Sequence, residues 1–303
     1  MPPQIQTALE NWSPAAPLAL TLLLAVIVYM RGWLYLRSRS VNIVPPWRAG
    51  SFLVGVILIW IALGSPLAAF DEELLTVHMI QHLLLMTIAP PLILAGAPIM
   101  PFLHGLPRRF MHSVLSPLLR WAPAQWLGRV LSQPAVCWLA ATAALVGWHI
   151  PAAFTLALQS EPWHAVEHAC FLGSGFLFWW PVMLPWPSVP RWPRWSILVY
   201  LFLAALPCAI LSAFLAFCDR VVYPVYFFTP KHFALSTLED QQCAGALMWT
   251  CVTIAYLLAA AILTTRLLSA RRPQENELLQ SDLPTALAAP RASQSVALSE
   301  QKA

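Results

Sequence analysis

The stretch HMIQHLLLMTIAPPLILAGAPIM, His78–Met100, decides the fold of this chain. It contains no Asp, Glu, Lys or Arg, and at about 1.5 Å per residue a helix of this length crosses a hydrocarbon core about 30 Å thick. The sequence contains six further apolar runs of similar length: Pro17–Leu36, Gly50–Ala69, Pro134–Phe154, His164–Leu184, Ser196–Phe217 and Cys243–Leu267. The runs lack the alternation of barrel strands, and lipid excludes unpaired backbone groups. The sequence therefore predicts an all-α polytopic membrane protein, a bundle of seven transmembrane helices.

The overall composition excludes several classes of protein. Hydrophobic residues make up 59% of the 303 residues and charged residues only 10%, whereas about 25% of the residues in a soluble domain are charged. So few charges cannot cover the surface of a soluble fold, and so many apolar residues exclude disorder over most of the chain. The net charge of +4 comes from 17 Lys and Arg spread along the chain. No basic face forms, so we expect no nucleic-acid partner.

The loop charges orient the bundle. Arginines lie in the first, third and fifth connections and after the last run, whereas the second connection carries Asp71, Glu72 and Glu73. Because basic loops stay in the cytoplasm, we expect the N-terminus outside and the C-terminus inside. The predicted domains are a short extracytoplasmic N-terminus (1–16), a seven-helix transmembrane domain (17–269) and a cytoplasmic tail (270–303). The tail is polar without helical hydrophobic spacing, which predicts disorder.

Five histidines fall near the outer ends of three predicted spans. His78 and His82 open the third span, His149 lies near the end of the fourth, and His164 and His168 open the fifth. Each pair has the spacing i, i+4, which places both imidazoles on one helix face. Ionisable groups inside a span usually face the bundle interior or a cavity. The alternative is that helix–helix hydrogen bonds or the headgroup zone satisfy each histidine separately; a shared site explains the set better.

The side chains near this depth point to a transition metal. Imidazole suits copper, zinc and iron, and thioether sulfur favours cuprous copper. Met86 continues the histidine stripe of the third span by one turn, and Met248 lies on the seventh span, so both are additional ligand candidates. Glu167 and Asp240 enter the membrane at the same depth. Each carboxylate could orient an imidazole as a hydrogen-bond acceptor. Asp240 could equally be an ordinary acid at a helix N-terminus, and the same alternative holds for Glu167, which could face away from the histidine pair.

Short motifs follow one another in a fixed order across residues 50–267. They are His78-x-x-x-His82 with Pro90-Pro91-x-x-x-x-Gly96-x-Pro98, Trp148-His149-x-Pro151, His164-x-x-Glu167-His168, and Asp240-Gln241-x-x-x-Gly245-x-x-Met248-Trp249. In this order and membrane placement the chain resembles the CtaG family of cytochrome c oxidase assembly factors, which are seven-span proteins of the bacterial cytoplasmic membrane.

The resemblance implies a multi-pass inner-membrane protein that takes part in the maturation of haem-copper oxidases and is not an enzyme. It implies copper binding and delivery to the oxidase. Haem-copper oxidase subunits and a periplasmic copper donor would be the partners, within the lipid bilayer. Under the resemblance, the copper ligands are His78, His82, His149, His164 and His168.

Two other functions fit parts of the same pattern. Histidines on different helices could ligate haem iron in an electron-transfer protein, although i, i+4 pairs are not needed for that. His164-x-x-Glu167-His168 also matches the H-x-x-E-H pattern of zinc metalloproteases, in which the glutamate is the catalytic base. Transport is disfavoured because no polar ladder continues through the inner halves of the spans.

Overall fold

The computed structural model describes residues 16–39, 44–184, 192–228 and 235–287, with side chains described as far as Ser269. These ranges contain helices and turns but no strand. The helices are α1 (Ala16–Arg39), α2 (Pro46–Gly64), α3 (Leu75–Ala95), α4 (Ile99–Gly105), α5 (Ala122–Leu131), α6 (Pro134–Trp148), α7 (Pro151–Gln159), α8 (Glu161–Met183), α9 (Ser196–Phe217) and α10 (Thr237–Leu287). Shorter helical turns are Pro66–Ala69, Arg108–Phe110, Met111–Leu115, Ser116–Arg120 and Pro224–Phe227.

Among the described residues, five helices are long and apolar enough to cross a membrane: α1, α2 with its following turn, α3, α9 and the part of α10 up to Ser269. The pair α5 and α6, bent by 75° at its junction, provides a sixth span if it is counted as one. The prediction of an all-α polytopic membrane protein is confirmed. The count of seven spans and the orientation stay predictions.

Two predicted spans have different bounds in the structure. The third was expected to run to Met100, but α3 ends at Ala95, and Ala97 has a φ of 47°, which separates α3 from α4. The fourth was expected to be continuous to Phe154, but it breaks between Trp148 and Pro151. Proline lacks a backbone N–H and pushes the preceding residue out of the helical region, so α6 cannot continue through Pro151.

A proline pair shapes the middle of α3 and its contact with α8. In a helix the carbonyl oxygen of Met86 would accept a hydrogen bond from the backbone N–H of the residue four or five positions later. Those positions are Pro90 and Pro91, which have no N–H group. The segment Leu84–Ile88 is π-helical, and the Met86 carbonyl oxygen accepts instead from the indole nitrogen of Trp179 on α8, at 3.2 Å. Gly175 permits this close packing, since a Cβ there would lie 2.7 Å from the same oxygen.

The chain divides into two compact units, Met1–Leu257 and Leu258–Ala303. The first contains the residues discussed below. In the second, the backbone of α10 is helical to Leu287, although a disordered tail was expected from residue 270. Residues 1–15 and 288–303 lie outside the described residues, and the predicted domain boundaries stay a prediction.

Asp240 joins the start of α10 to the start of α3. Its carboxylate accepts hydrogen bonds from the backbone N–H groups of Leu75 and Thr76, at 2.7 and 3.1 Å, and from the Thr76 hydroxyl at 2.6 Å. The N-cap residue of α3, Leu74, offers no side-chain acceptor. Asp240 therefore caps the histidine-bearing helix from another helix, satisfying N–H groups that every helix N-terminus leaves unpaired.

We expect Asp240→Ala to lower the free energy of unfolding by about 1–3 kcal/mol, because it removes a cap and leaves buried N–H groups unpaired. The measurement is the midpoint of thermal unfolding in detergent, followed by circular dichroism. Glu239→Gln is the matched control, since the neighbouring Glu239 is exposed and, among the described residues, its carboxylate bonds to the nearby Ser236. An unchanged midpoint in Asp240→Ala would show that the cap contributes nothing.

Candidate metal centre

Three helical segments bring the five predicted histidines together. The ring centroids of His78 and His82 on α3 lie 4.2 Å apart, as do those of His164 and His168 on α8. The two pairs face each other: His78 lies 5.4 Å from His164, and His82 lies 5.9 Å from His168. His149, at the break after α6, lies 6.4 Å from His82. Shared depth in the sequence therefore corresponds to a single cluster in the fold.

Glu167 lies at the centre of the cluster. It is 0% exposed. Its Oε1 lies 3.7 Å from Nε2 of His78 and 3.6 Å from Nε2 of His82, and its Oε2 lies 4.0 Å from Nε2 of His164. The sequence suggested that Glu167 orients an imidazole or, in the metalloprotease alternative, acts as a catalytic base; in the structure its two oxygens lie within 4.0 Å of ring nitrogens of histidines on both α3 and α8.

Asp71 is a member of the cluster that the sequence did not single out. It lies in the turn before α3, is 5% exposed, and its Oδ2 lies 3.8 Å from Nε2 of His164. Burial raises the pKa of the Asp71 carboxyl to about 7, since it disfavours the charged form. The available signal was the acidic loop, which the sequence analysis used only for orientation. Burial of one of its three carboxylates cannot be predicted from loop composition.

The cluster contains many buried polar atoms that make no hydrogen bond within the described part of the chain. They are both ring nitrogens of His78 and His82, Nε2 of His149, His164 and His168, and both carboxylate oxygens of Glu167. A buried polar group without a partner costs about 1–3 kcal/mol, so a ligand or ordered water at this point would stabilise the cluster. His/carboxylate groups that could hold a metal ion are Asp71 with His78 and His164, and His78 with His82 and Glu167.

The local structure around His149 fixes which of its ring nitrogens is free. Nδ1 lies 2.7 Å from the Leu145 carbonyl oxygen, which only accepts, so Nδ1 carries the proton and Nε2 keeps its lone pair. The His149 backbone carbonyl in turn accepts from the Tyr223 hydroxyl at 3.1 Å. A histidine held in this way is oriented as metal-binding histidines commonly are, with one nitrogen bonded to a carbonyl and the other free.

The two predicted methionines lie next to the cluster rather than within it. Met86 and Met248 line a mostly apolar cavity of about 40 Å³, together with Met79 and with His82 and His149 of the cluster. The cavity volume exceeds the roughly 10–15 Å³ that one water-sized probe needs. Thioethers therefore share this cavity with the imidazoles of His82 and His149. Asp240, the remaining predicted residue, binds the N-terminus of α3, as described above.

An open cleft of about 500 Å³ also borders the cluster. Its lining includes Asp71, Glu72 and Glu161, together with His164 and His168 of the cluster. The described lining residues contain no Lys or Arg. A cleft lined by charges of one sign concentrates ions of the opposite sign, so this one favours the approach of cations to the histidines.

Together the fold and the site define a class of protein: a helical membrane protein that buries imidazoles and carboxylates in one cluster beside an acidic cleft. Residues 27–270 match the family described as "Cytochrome c oxidase caa3 assembly factor (Caa3_CtaG)". This match covers most of the chain, and the chain belongs to that family. The resemblance inferred from the motifs is confirmed.

Two further proteins are similar to the chain. They come from Mycobacterium bovis and Mycobacterium tuberculosis and are both described as uncharacterized. Each is 23% identical over 269 residues, which is 88% of this chain and 40% of the relative, so the chain spans less than half the length of these relatives. No solved structure matches the chain.

Proposed function

We propose that this cytochrome c oxidase assembly factor binds copper at the cluster of five histidines, Asp71 and Glu167, and assists the maturation of a metal centre in a haem-copper oxidase. The observation that carries the proposal is the set of nine buried ring-nitrogen and carboxylate-oxygen atoms that make no hydrogen bond to the part of the chain that the structure describes. Family membership supports the assembly role. The proposed location is the bacterial inner membrane, and the proposed partners are oxidase subunits and a periplasmic copper donor.

The chemistry of the cluster fits a reversible copper carrier. Imidazole binds copper well, and divalent copper forms the most stable complexes of the first-row metals with a given set of ligands. The acidic cleft gives cations access, whereas His82 and His149 also line the inner cavity with Met79, Met86 and Met248. Thioethers prefer cuprous copper. The imidazole cluster and the thioethers thus form two neighbouring sets of copper ligands. An ion can be released more easily when it can move from one such set to another of similar affinity.

No redox or hydrolytic step is part of this function. The chain's own residues bind the ion, orient it and exclude lipid from it. Phe154 and Phe171 pack on the imidazoles, with ring centroids 5.0 Å from His78 and 4.0 Å from His82, respectively. Both rings are almost completely buried, so they shield the imidazoles that they contact from lipid.

The test is copper binding by the detergent-purified full chain and oxidase copper content in cells that produce each variant. We expect His78→Ala/His82→Ala to lose at least about tenfold in copper affinity, because two imidazole ligands are removed. Cells carrying this variant should contain oxidase that lacks copper. His104→Ala/His112→Ala is the matched control, since those two histidines are exposed and lie outside the cluster.

Three outcomes would contradict the proposal: wild-type protein that binds no copper, a double variant that binds copper normally, or normal oxidase copper in cells with the double variant. A Soret band in the purified protein, or zinc-dependent proteolysis lost in Glu167→Gln, would replace it with haem binding or proteolysis. His164→Ala provides a second variant if the double variant does not reach the membrane.

A further inference from the structure

The cluster has two halves that share the Glu167 carboxylate. In the first, Oε1 faces His78 and His82 on α3, at 3.7 and 3.6 Å from their Nε2 atoms. In the second, Oε2 faces Nε2 of His164 at 4.0 Å, and the same nitrogen lies 3.8 Å from Asp71 Oδ2. Each carboxylate oxygen therefore points to a different group of donors. A carboxylate in this position can bridge two metal ions.

The geometry points to a centre of two metal ions bridged by Glu167, and we propose that the cluster holds two copper ions rather than one. This inference rests on the proposed function, because it takes the cluster to be a copper site. It goes beyond that function by assigning a stoichiometry and separate ligands. His78, His82 and Glu167 Oε1 bind the first ion; His164, Asp71 and Glu167 Oε2 bind the second.

The separations within each half suit a shared ion. First-row metal ions such as zinc bind nitrogen and oxygen at about 2.0–2.2 Å, so two tetrahedral ligands of one ion lie roughly 3.3–3.6 Å apart. The four distances in the two halves run from 3.6 to 4.0 Å. Each of these four donor pairs needs to approach by only a few tenths of an ångström to bind an ion between them. The ligand atoms of His78, His82 and Glu167 all lie within 4.8 Å of one another, whereas those of Asp71 and His164 share such a group with His78, so Asp71 and Glu167 have to move closer together to hold the second ion.

The number of donors also favours two ions. Five imidazoles, one Asp71 oxygen and the two Glu167 oxygens supply eight donor atoms, which is what two four-coordinate ions use. His149 and His168 complete the two sets: His149 is nearest to His82 on the first side, and His168 packs on His164 on the second. A single four-coordinate ion would leave about four of the eight buried donors without a partner, each at a cost in stability.

The charges of the buried carboxylates also favour two ions when the metal is cuprous copper. Asp71 and Glu167 are both buried, and within the described residues the basic groups near them are histidine rings rather than Lys or Arg. Buried charges need compensation by an opposite charge close by. Two cuprous ions neutralise the two ionised carboxylates, whereas with one cuprous ion the other carboxyl is neutral only when it is protonated.

The test loads the purified full chain with cuprous copper under reducing conditions and measures metal per chain by mass spectrometry after removal of excess. We expect about two copper ions in the wild type and about one in Asp71→Asn, which removes a ligand of the second ion alone. Asp219→Asn, the same change at an exposed carboxylate in another loop, should retain both. X-ray absorption should show copper–copper scattering at about 3.5–4 Å in the wild type and in Asp219→Asn, but not in Asp71→Asn.

The outcomes separate this inference from the proposed function. One copper per wild-type chain, lost in His78→Ala/His82→Ala, would overturn the two-ion centre and leave the copper site intact. No copper in the wild type would overturn both. Two ions that both persist in Asp71→Asn would place the second ion elsewhere and overturn the assignment. His164→Gln, which removes another ligand of the same half, gives the same readout if Asp71→Asn fails to fold.

Discussion

Glu167→Gln is expected to reduce copper affinity by at least about a hundredfold, while the metal-free variant is at least as stable as the metal-free wild type. Even loss of a residue that merely orients a metal ligand costs about 10–100-fold in affinity, and Glu167 contacts three of the histidines directly. Glutamine has almost the same shape but is neutral. It therefore removes the carboxylate that binds the ion without changing the packing.

The stability half of this prediction follows from the environment of the carboxylate. Glu167 is 0% exposed, and both of its oxygens lack hydrogen bonds within the described structure. Without a metal, such a group opposes folding, because burying it is costly and no partner offsets the cost. A residue retained at a cost in stability is typical of a functional site.

Two measurements check the prediction: copper affinity by competition with a cuprous chelator, and the thermal midpoint of the metal-free protein in detergent. The matched control is Glu239→Gln, the same change at an exposed glutamate at the start of α10, which should keep wild-type copper affinity. Unchanged copper affinity in Glu167→Gln would remove Glu167 from the site. A much lower midpoint in the metal-free variant would assign it a structural role.

The sequence could predict those features of the site that are determined within a single helix. Apolar runs identify spans because lipid requires satisfied backbone groups, and the i, i+4 spacing places His78 with His82 and His164 with His168 on one face each. The same periodicity places Glu167, three residues after His164, on that face. Its contact with the histidines of α3 depends on how α3 and α8 pack, which Gly175, Trp179 and the carbonyl freed by Pro90 help to set.

The remaining parts depend on contacts between residues far apart in the chain. Asp71 joins the cluster because the turn before α3 folds over the histidines, and loop charge alone does not indicate burial. Asp240 lies 165 residues from the backbone nitrogen of Leu75 that it caps, so no local pattern reveals its role. Met86 and Met248 share the depth of the histidines but lie around an adjoining cavity. Hydrophobic periodicity indicates how deep a residue lies in the membrane and on which face of its helix. It does not indicate which other helix packs against that face.

Copper loading is expected to raise the thermal midpoint of the wild-type chain by about 10 °C at a free copper concentration about 1,000 times the dissociation constant. Binding to the folded state alone stabilises it by about 4 kcal/mol under these conditions, and about 1 kcal/mol shifts the midpoint by about 2–4 °C in a chain of this size class. The physical source is the cluster: the metal gives partners to buried atoms that otherwise have none. A cuprous chelator should reverse the shift.

The variants decide where this stabilisation arises. Asp71→Asn should retain part of the shift, since His78, His82 and Glu167 still bind an ion, whereas His78→Ala/His82→Ala should lose most of it. His104→Ala/His112→Ala should keep the whole shift, because neither histidine contacts the cluster in the described structure. If copper binds tightly to the wild type and leaves the midpoint unchanged, the ion is not held by the buried cluster. In that case exposed ligands, equally available in the unfolded chain, bind the metal.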